Sequence, residues 1–155
     1  MVFNDLDSLW KYAKKEIKRS MKTEVVDEIK NTEQEVIQEV VLDAYQPSMY
    51  ARRSEQGNNE DGLISKKNMT PHYSESDNYI QIDITNDTKG NTEYPLSTSG
   101  YIDEVVEYGK DYSWIYSEIA RSKLPRPFTA VTQERVNSSD IVERTIKNNV
   151  DFEIK

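Results

Sequence analysis

The sequence predicts an α+β fold with a long N-terminal helix, a small, mostly antiparallel sheet, two further helices and a short C-terminal strand. Residues 4–44 contain neither Gly nor Pro, and their apolar residues recur at helical spacing. Residues 79–85 alternate isoleucine with polar side chains, as expected of a strand with one buried face. Residues 101–108, and the residues from 127 onward, return to helical spacing.

The first helix is predicted from one apolar stripe, spaced mostly in steps of three or four residues. An unbroken helix over residues 4–44 reaches about 60 Å, which is more than a domain of 155 residues covers. We therefore expect either a break near Asn31 and Thr32 or a helix that packs partly on another subunit. The stripe consists of Leu6, Leu9, Trp10, Ala13, Ile17, Met21, Val25 and Ile29, and it resumes at Val36, Ile37, Val40, Val41 and Ala44.

A β-hairpin is predicted next. Residues 68–74 form a weak strand that Pro71 restricts to the sheet edge, because proline lacks the N–H that a central strand donates. A turn at residues 75–78 leads into residues 79–85, the clearest strand in the chain. Its three isoleucines face one side, so Asp83 on the opposite side is expected to point away from the core.

Two helix boundaries lie on either side of an aromatic-rich segment. Gly109 is expected to end the helix of residues 101–108 in a left-handed conformation, which costs little for glycine. Pro127 is expected at the first position of the next helix, where its missing N–H would have no partner. Tyr108 and Phe128 are then expected to pack together and hold the two helices against the sheet.

The C-terminal part of the chain adds one interruption and one strand to the prediction. The polar residues 137–140 are expected to break the helix that begins at residue 127. Residues 150–155 alternate apolar residues with acids, and they are expected to form a strand in the chain's own sheet or in a neighbour's.

Composition restricts the classes of protein to which the chain can belong. Its 155 residues predict a single domain, residues 1–155, from which residues 1–30 extend at most as a helical arm. Leu, Ile, Val and Phe make up about a fifth of the chain, so the core is expected to be thin. The ten Tyr and two Trp are large amphipathic residues of the kind that is enriched at protein interfaces. There is no Cys for disulfides, and no signal peptide or membrane span is recognisable, so a soluble chain is expected.

The net charge of −8 is concentrated in one stretch. Residues 75–107 hold eight acids against a single base, Lys89. Because a grip on nucleic acid depends on Lys and Arg, this balance disfavours direct nucleic-acid binding. A solvated acidic face that aids solubility is the plainest explanation.

No set of residues predicts catalysis, a cofactor or a metal site. His72, the only histidine, lies beside Pro71 and Tyr73 on the predicted strand edge, and one histidine without cysteine does not complete a zinc site. Glycine-rich phosphate loops and the common hydrolase motifs are missing from the sequence. We therefore expect a protein that is not an enzyme, that binds no cofactor and that holds no metal.

Five segments of the chain occur in an order that resembles one family of phage proteins. They are "VLDAYQPSMYARR", "DGLIS", the isoleucine-alternating strand, "IDEVVEYGKDYSW" and "RPFTAVTQE". This order resembles the head–tail joining, or tail-completion, proteins in the neck of long-tailed phages and prophages, over about residues 36–136. The first helix is longer than in that pattern, and residues 150–155 are not part of it. The residues that carry the resemblance are Tyr45, Tyr50, Arg52, Arg53, Glu107, Tyr108, Gly109, Arg126, Pro127 and Phe128.

The resemblance implies a structural virion protein of the neck, assembled in the cytoplasm of the bacterial host. Its copies are expected to form a homo-oligomeric ring of about six or twelve subunits, which joins the portal or its adaptor to the tail terminator or tail tube. Double-stranded DNA passes through such a ring without specific binding, and no membrane is involved. In that ring, Asp83 and Asp87 are expected to line the DNA path because their charge repels phosphate; bulk solvent or a partner's basic patch is the alternative surrounding.

Two other functions compete with this expectation. The chain is alternatively a soluble adaptor or regulatory protein unrelated to phage, with the long N-terminal helix as its binding surface, and an enzyme is the third candidate. The two motifs at residues 107–109 and 126–128 also have a purely structural explanation. They are then ordinary helix boundaries in a core, and the contacts with partners lie on loops.

Overall fold

The computed structural model describes residues 5–44, 62–77, 79–89, 101–109 and 125–150. Its elements confirm the predicted α+β class. In chain order they are α1 (Leu6–Ser20), a first π-helical segment (Met21–Val25), α2 (Val26–Val36), a second π-helical segment (Ile37–Leu42), a 3₁₀ turn (Lys66–Asn68), β1 (Met69–Glu75), β2 (Ile80–Asn86), α3 (Asp103–Tyr108), α4 (Phe128–Ser138) and α5 (Ile141–Asn149).

The long helix runs without a break from Leu6 to Leu42, through α1, α2 and the two π-helical segments. The break expected near Asn31 and Thr32 is therefore wrong. Thr32 is buried, so packing offsets its weak helix propensity. Its hydroxyl donates to the carbonyl oxygen of Glu28 at 3.0 Å, which satisfies the buried polar group without breaking the helix. Neither this helix nor any other in the described ranges has the length and apolar character needed to cross a membrane.

β1 and β2 form an antiparallel hairpin whose register places Tyr73 opposite Ile82 and His72 opposite Asp83. Opposite residues share a face, so Tyr73 and Ile82 lie on one side of the hairpin and His72 and Asp83 on the other. The isoleucines of β2 are partly buried, whereas Asp83 is exposed. The predicted alternation is therefore confirmed.

The hairpin lies against the first half of the long helix. The Tyr73 hydroxyl donates to the carbonyl oxygen of Lys22 at 3.3 Å, and the Lys22 ammonium lies 5.6 Å from the centroid of the Tyr73 ring. Lys22 also donates to the Glu75 carboxylate at 3.1 Å, and the Lys18 ammonium lies 3.7 Å from the same carboxylate. Polar contacts therefore hold this end of the hairpin on α1 and the first π-helical segment.

The main hydrophobic core lies at the C-terminal half of the long helix. Its side chains come from α2, the second π-helical segment, β1, α3 and α4, and none is more than 7% exposed. Burial of this cluster removes apolar surface of four separate parts of the chain from water and so holds them together. The members are Val36, Ile37, Val41, Met69, Val106 and Phe128.

The polar residues 137–140 separate α4 from α5, as the sequence predicts. α5 then packs against the first π-helical segment. Ser20 and Val25 are fully buried in this region, and Thr145 of α5 is buried as well. The middle of the long helix is therefore covered by α5.

Candidate functional site

The two sequence motifs meet in the structure at the N-terminus of α4. The carboxylate of Glu107, near the end of α3, accepts from the backbone N–H of Thr129 at 2.9 Å and of Ala130 at 3.3 Å. Pro127 is the N-cap residue of α4 and offers no capping side chain. Glu107 therefore supplies the acceptor that the first N–H groups of a helix lack, and its negative charge suits the positive end of the helix dipole.

Backbone contacts complete this arrangement. The N–H of Arg126 donates to the carbonyl oxygen of Val106 at 2.9 Å, which ties the chain before α4 to the last turn of α3. Gly109 ends α3 with φ 62° and ψ 27°, the left-handed conformation that the sequence predicts. Phe128 is fully buried in the main core. We call Glu107, Gly109, Arg126, Pro127 and Phe128 the α3–α4 joint.

Two details of the joint differ from the sequence prediction. Pro127 lies one position before the helix, not at its first residue, because its ψ of 64° is outside the helical range. Tyr108 is 58% exposed and does not belong to the core around Phe128. Val105 and Val106 are buried, and Tyr108, two positions after Val106, points to the opposite side of the helix. Val106 therefore takes the place in the core that was expected for Tyr108.

Other residues of the resemblance lie outside the part of the chain that the structure describes. They are Tyr45, Tyr50, Arg52 and Arg53. The predicted C-terminal strand also falls outside it, except for Val150, which belongs to no strand. The segment "DGLIS" is described from Gly62 onward, where the Gly62 carbonyl oxygen accepts from the Ser65 N–H and the Asn68 side chain, each at 3.0 Å.

A buried polar cluster, which the sequence did not predict, joins the long helix to β2. The Asn86 side-chain amide donates to the Glu33 carboxylate and to the Leu63 carbonyl oxygen, both at 2.9 Å. The Thr88 hydroxyl donates to the side-chain oxygen of Asn86 at 2.6 Å. Glu33 and Asn86 lie 53 residues apart and belong to residue types that are mostly exposed, so residue type alone does not predict their contact. The periodicity does carry a signal, because Glu33 lies four residues after Ile29 on the apolar stripe and Asn86 lies two residues after Ile84 on the isoleucine face.

The Glu33 carboxylate is in an environment that disfavours its charge. Burial raises the pKa of Glu33, and the nearby carboxylates of Glu107 and Asp103 raise it further, whereas the hydrogen bond from Asn86 lowers it. Its role in the described structure is to accept the Asn86 hydrogen bond inside the fold. Burial and like charge therefore explain the shift without a catalytic role.

A second acidic group lies at the start of α3. Burial raises the pKa of Asp103, whose Oδ1 atom is buried without a hydrogen-bond partner, and the carboxylates of Glu104 and Asp87 raise it further. Glu104 and Asp87 are exposed. Negative charge is therefore concentrated here, although no three His, Cys, Asp or Glu side chains of the described ranges are arranged to hold a metal ion.

The two acids that the sequence assigns to a DNA path are both exposed, in different surroundings. Asp83 lies on the outward face of the hairpin, where its carboxylate oxygens accept from the Gln81 amide at 3.2 and 3.0 Å. Asp87 follows β2 and lies among the acids of α3, and its backbone N–H donates to the Asn68 carbonyl oxygen at 2.6 Å. The structure confirms that Asp83 points away from the core; its position on a DNA path stays a prediction.

The N-terminal end of α1 carries an exposed apolar and basic surface. Leu6 and Trp10 are 82% and 64% exposed, although both belong to the apolar stripe of the long helix. Lys11, Lys14 and Lys15 form no ion pair with any residue in the described ranges. Helical spacing places Leu6, Trp10 and Lys14 along one line of the helix, and Lys11 and Lys15 along a second line about 100° around it. We call Leu6, Trp10, Lys11, Lys14 and Lys15 the basic helix end.

Comparison with known proteins identifies one family. The sequence model of the YomN family matches residues 5–151, which is nearly the whole chain. This is a family derived from Bacillus phage, so the match makes the chain a phage-associated protein. Curated proteins and solved structures give no significant match.

Proposed function

The chain belongs to the phage-associated YomN family, and on this premise we propose that it is a structural subunit of the phage neck. In this role, copies of the chain form a ring of about six or twelve subunits, which joins the portal or its adaptor to the tail terminator or tail tube. The function is assembly rather than catalysis, and the place of the protein is the neck of the virion.

The observation that carries the proposal is the α3–α4 joint. Its residues come from the two motifs that most directly resemble the neck proteins, and Glu107 reaches across 22 residues of chain to cap the helix that follows the second motif. Because the two motifs are in direct contact, they form one structural unit. Two segments that resembled the neck proteins only by chance would have no reason to contact each other. The phage association of the YomN family supports the same assignment from separate evidence.

The surface of the chain also suits an assembly subunit. The basic helix end exposes Leu6 and Trp10, and α3 exposes Tyr108. Large apolar and aromatic side chains grouped on a surface mark contacts with other proteins more often than catalytic sites. The two carboxylates with raised pKa values, Glu33 and Asp103, are accounted for by their burial.

We propose further that Asp83 faces the path of the DNA. Its carboxylate is exposed on the outward face of the hairpin and forms no ion pair with a residue of the described ranges. Repeated around a ring, this charge repels phosphate and avoids the counterion release that makes basic channels bind DNA. Asp83→Lys is then expected to slow DNA ejection in a manner that salt weakens, and unchanged ejection kinetics would remove Asp83 from the path.

The neck assignment is tested by inactivating the gene for this chain in a phage or inducible prophage and imaging the particles by electron microscopy. We expect DNA-filled heads and complete tails that are not joined. The native gene supplied in trans is expected to restore joined virions, and a labelled copy is expected to appear at the head–tail junction.

Normal virions in the absence of the chain would contradict the neck role. They would favour the alternative of an adaptor or regulatory protein that uses the long helix to bind a partner. The same helix surface would then be expected to bind a protein in the infected cell outside the virion.

A further inference from the structure

The basic helix end combines exposed apolar surface with lysines that have no ion-pair partner among the residues that the structure describes. α1 carries five Lys and Arg residues against two acids, Asp7 and Glu16. Lys18 pairs with Glu75, and Arg19 with Glu16, whereas Lys11, Lys14 and Lys15 form no ion pair with a residue of the described ranges. A partner for this surface therefore has to offer carboxylates together with apolar or aromatic groups.

The chain itself offers such a surface at α3. Asp87 and Glu104 are exposed, and neither forms an ion pair with a residue that the structure describes. Two tyrosines next to them are also exposed, Tyr101 at 38% and Tyr108 at 58%. We call Asp87, Tyr101, Glu104 and Tyr108 the acidic α3 surface, which is complementary to the basic helix end in charge and similar to it in aromatic content.

These two surfaces lie too far apart to meet within one chain. The acidic α3 surface adjoins Glu33, because Asp87 directly follows Asn86, whose side-chain amide donates to the Glu33 carboxylate at 2.9 Å. Trp10 and Glu33 belong to the same unbroken helix, and at 1.5 Å per residue they are separated by about 35 Å. A contact between the two surfaces therefore requires two copies of the chain.

We propose that copies of the chain join head to tail, with the basic helix end of one copy on the acidic α3 surface of the next. The occupant of the exposed helix face is thus a second copy, and the inference rests on the proposed ring because it names the contact that builds it. Since the two surfaces differ, the contact is heterologous, and repeating it gives a closed ring when the rotation between copies closes. Trp10 and Leu6 supply the apolar part of the contact, and the Lys–carboxylate pairs lie along one side of it and set the register.

This contact divides the two acids that the sequence assigned to DNA. Asp87 belongs to the interface between subunits, where Lys11 and Lys15 of the next copy compensate its charge. Asp83 stays on the outward hairpin face and remains available to the DNA path.

Charge reversal on each surface provides the test. One variant carries Lys11→Glu with Lys15→Glu, and the other carries Asp87→Lys with Glu104→Lys. Each variant alone presents like charges at both surfaces and is expected to lose assembly. In an equal mixture, the acidic helix end of the first variant meets the basic α3 surface of the second, and the native surfaces pair in the alternate contacts.

The measurement is molar mass by size-exclusion chromatography with light scattering, with circular dichroism to verify that each variant is folded. We expect the native chain to form oligomers, each variant to be monomeric, and the mixture to recover oligomers with an even number of copies. Gln133→Lys with Glu134→Lys, on exposed positions of α4 outside both surfaces, is the control and is expected to assemble as the native chain does.

Three outcomes overturn the contact: a native chain that stays monomeric at the highest concentration measured, variants that assemble alone as the native chain does, and folded variants whose mixture stays monomeric. A failure of the neck role is distinguishable from these, because it appears as normal head–tail joining in particles that lack the chain. Recovery in the mixture supports the contact whatever the imaging of particles shows.

Discussion

The two ends of the long helix differ in what covers them. At the C-terminal end, Val36 and Ile37 are fully buried and Val41 is 5% exposed, because β1, α3 and α4 pack against them. At the N-terminal end, Leu6 and Trp10 continue the same apolar stripe but are left largely exposed. The sequence pattern is similar at both ends, whereas the tertiary environment is not.

An apolar stripe therefore predicts a helix but does not predict which element packs on that stripe. Helices gain most of their stability from tertiary packing, and the C-terminal half has this packing. The N-terminal end depends on local polar contacts instead. Asp5 caps α1 by accepting from the Ser8 N–H at 2.7 Å, and this hydrogen bond lowers the pKa of Asp5. Because the N-terminal end of the helix is stable without another element packed on it, its exposed residues are free to contact a second copy.

Truncating one large aromatic residue at each end gives the largest expected contrast. Phe128→Ala should lower the free energy of unfolding by about 3 to 5 kcal/mol, because it leaves a cavity in the main core. Trp10→Ala should change that free energy by no more than about 0.5 kcal/mol in the monomer, because the ring is exposed. Denaturant titration of both variants at low protein concentration measures the contrast. Comparable losses in the two variants would show that the N-terminal end is packed within the chain.

Removing the cap of α4 should have an intermediate effect. Glu107→Ala is expected to destabilise the chain by about 1 to 2 kcal/mol, because two N–H groups at the start of α4 lose their acceptor and Pro127 supplies none. Glu107→Gln should cost less, because its amide oxygen still accepts. Glu104→Ala, on the exposed side of the same helix, is the matched control and should be close to neutral in the monomer. Equal stability of the Glu107→Ala and Glu104→Ala variants would mean that the cap does not hold the joint.

Replacing the buried Glu33 is expected to raise the free energy of unfolding, whereas the preceding substitutions lower it. Its pKa is raised above the ordinary value of 4.5, so the folded chain retains this proton to higher pH than the unfolded chain. Its contribution to stability therefore falls as pH rises from 4.5 through the folded pKa, and above that pH the penalty is complete. Glu33→Gln should keep an acceptor for Asn86 and raise the free energy of unfolding at pH 7 by about 1 kcal/mol. Urea titrations at pH 4 and pH 7 measure this, and a variant that is less stable than the native chain at pH 7 would contradict it.

The contact between the hairpin and α1 should give the smallest effect. The hydrogen bond and charge of Lys22 lower the pKa of Glu75, so the stabilisation from this pair is present above the ordinary pKa of Glu75 and is lost as pH falls through the folded pKa. Because the pair is exposed, Glu75→Gln is expected to lower the thermal midpoint only slightly, and high salt should remove the difference. A large, salt-independent loss would mean that the pair holds the hairpin by more than surface charge.

The sequence predicts those features of the fold that depend on local periodicity and turn chemistry. The alternation in β2, the left-handed Gly109 and the polar break at residues 137–140 are all confirmed. The wrong details depend on tertiary contacts. Thr32 continues the helix because it is buried and its hydroxyl is bonded to the backbone, and Val106 rather than Tyr108 faces the core.

The candidate site was predictable only in part. The sequence identified both motifs of the α3–α4 joint, but not that the Glu107 carboxylate caps α4, since that contact joins residues 22 positions apart. The cluster of Glu33, Asn86 and Thr88 is not predicted, because its residue types are typical of exposed positions, although Glu33 and Asn86 occupy inward-facing positions of the long helix and of β2. Contacts of this kind follow from the packing of separate elements and not from any one segment.

Amide hydrogen exchange along the long helix, compared between the dissociated chain and the assembled oligomer, shows whether α1 is covered only by a second copy. Amide exchange reports local opening of the helix, and a neighbouring copy packed on the helix suppresses that opening. We expect the amides of α1 to exchange faster than those of α2 in the dissociated chain and to gain protection on assembly, while α2 changes little. Protection that is equal in α1 and α2 before assembly, or that does not change in α1 on assembly, would contradict the account.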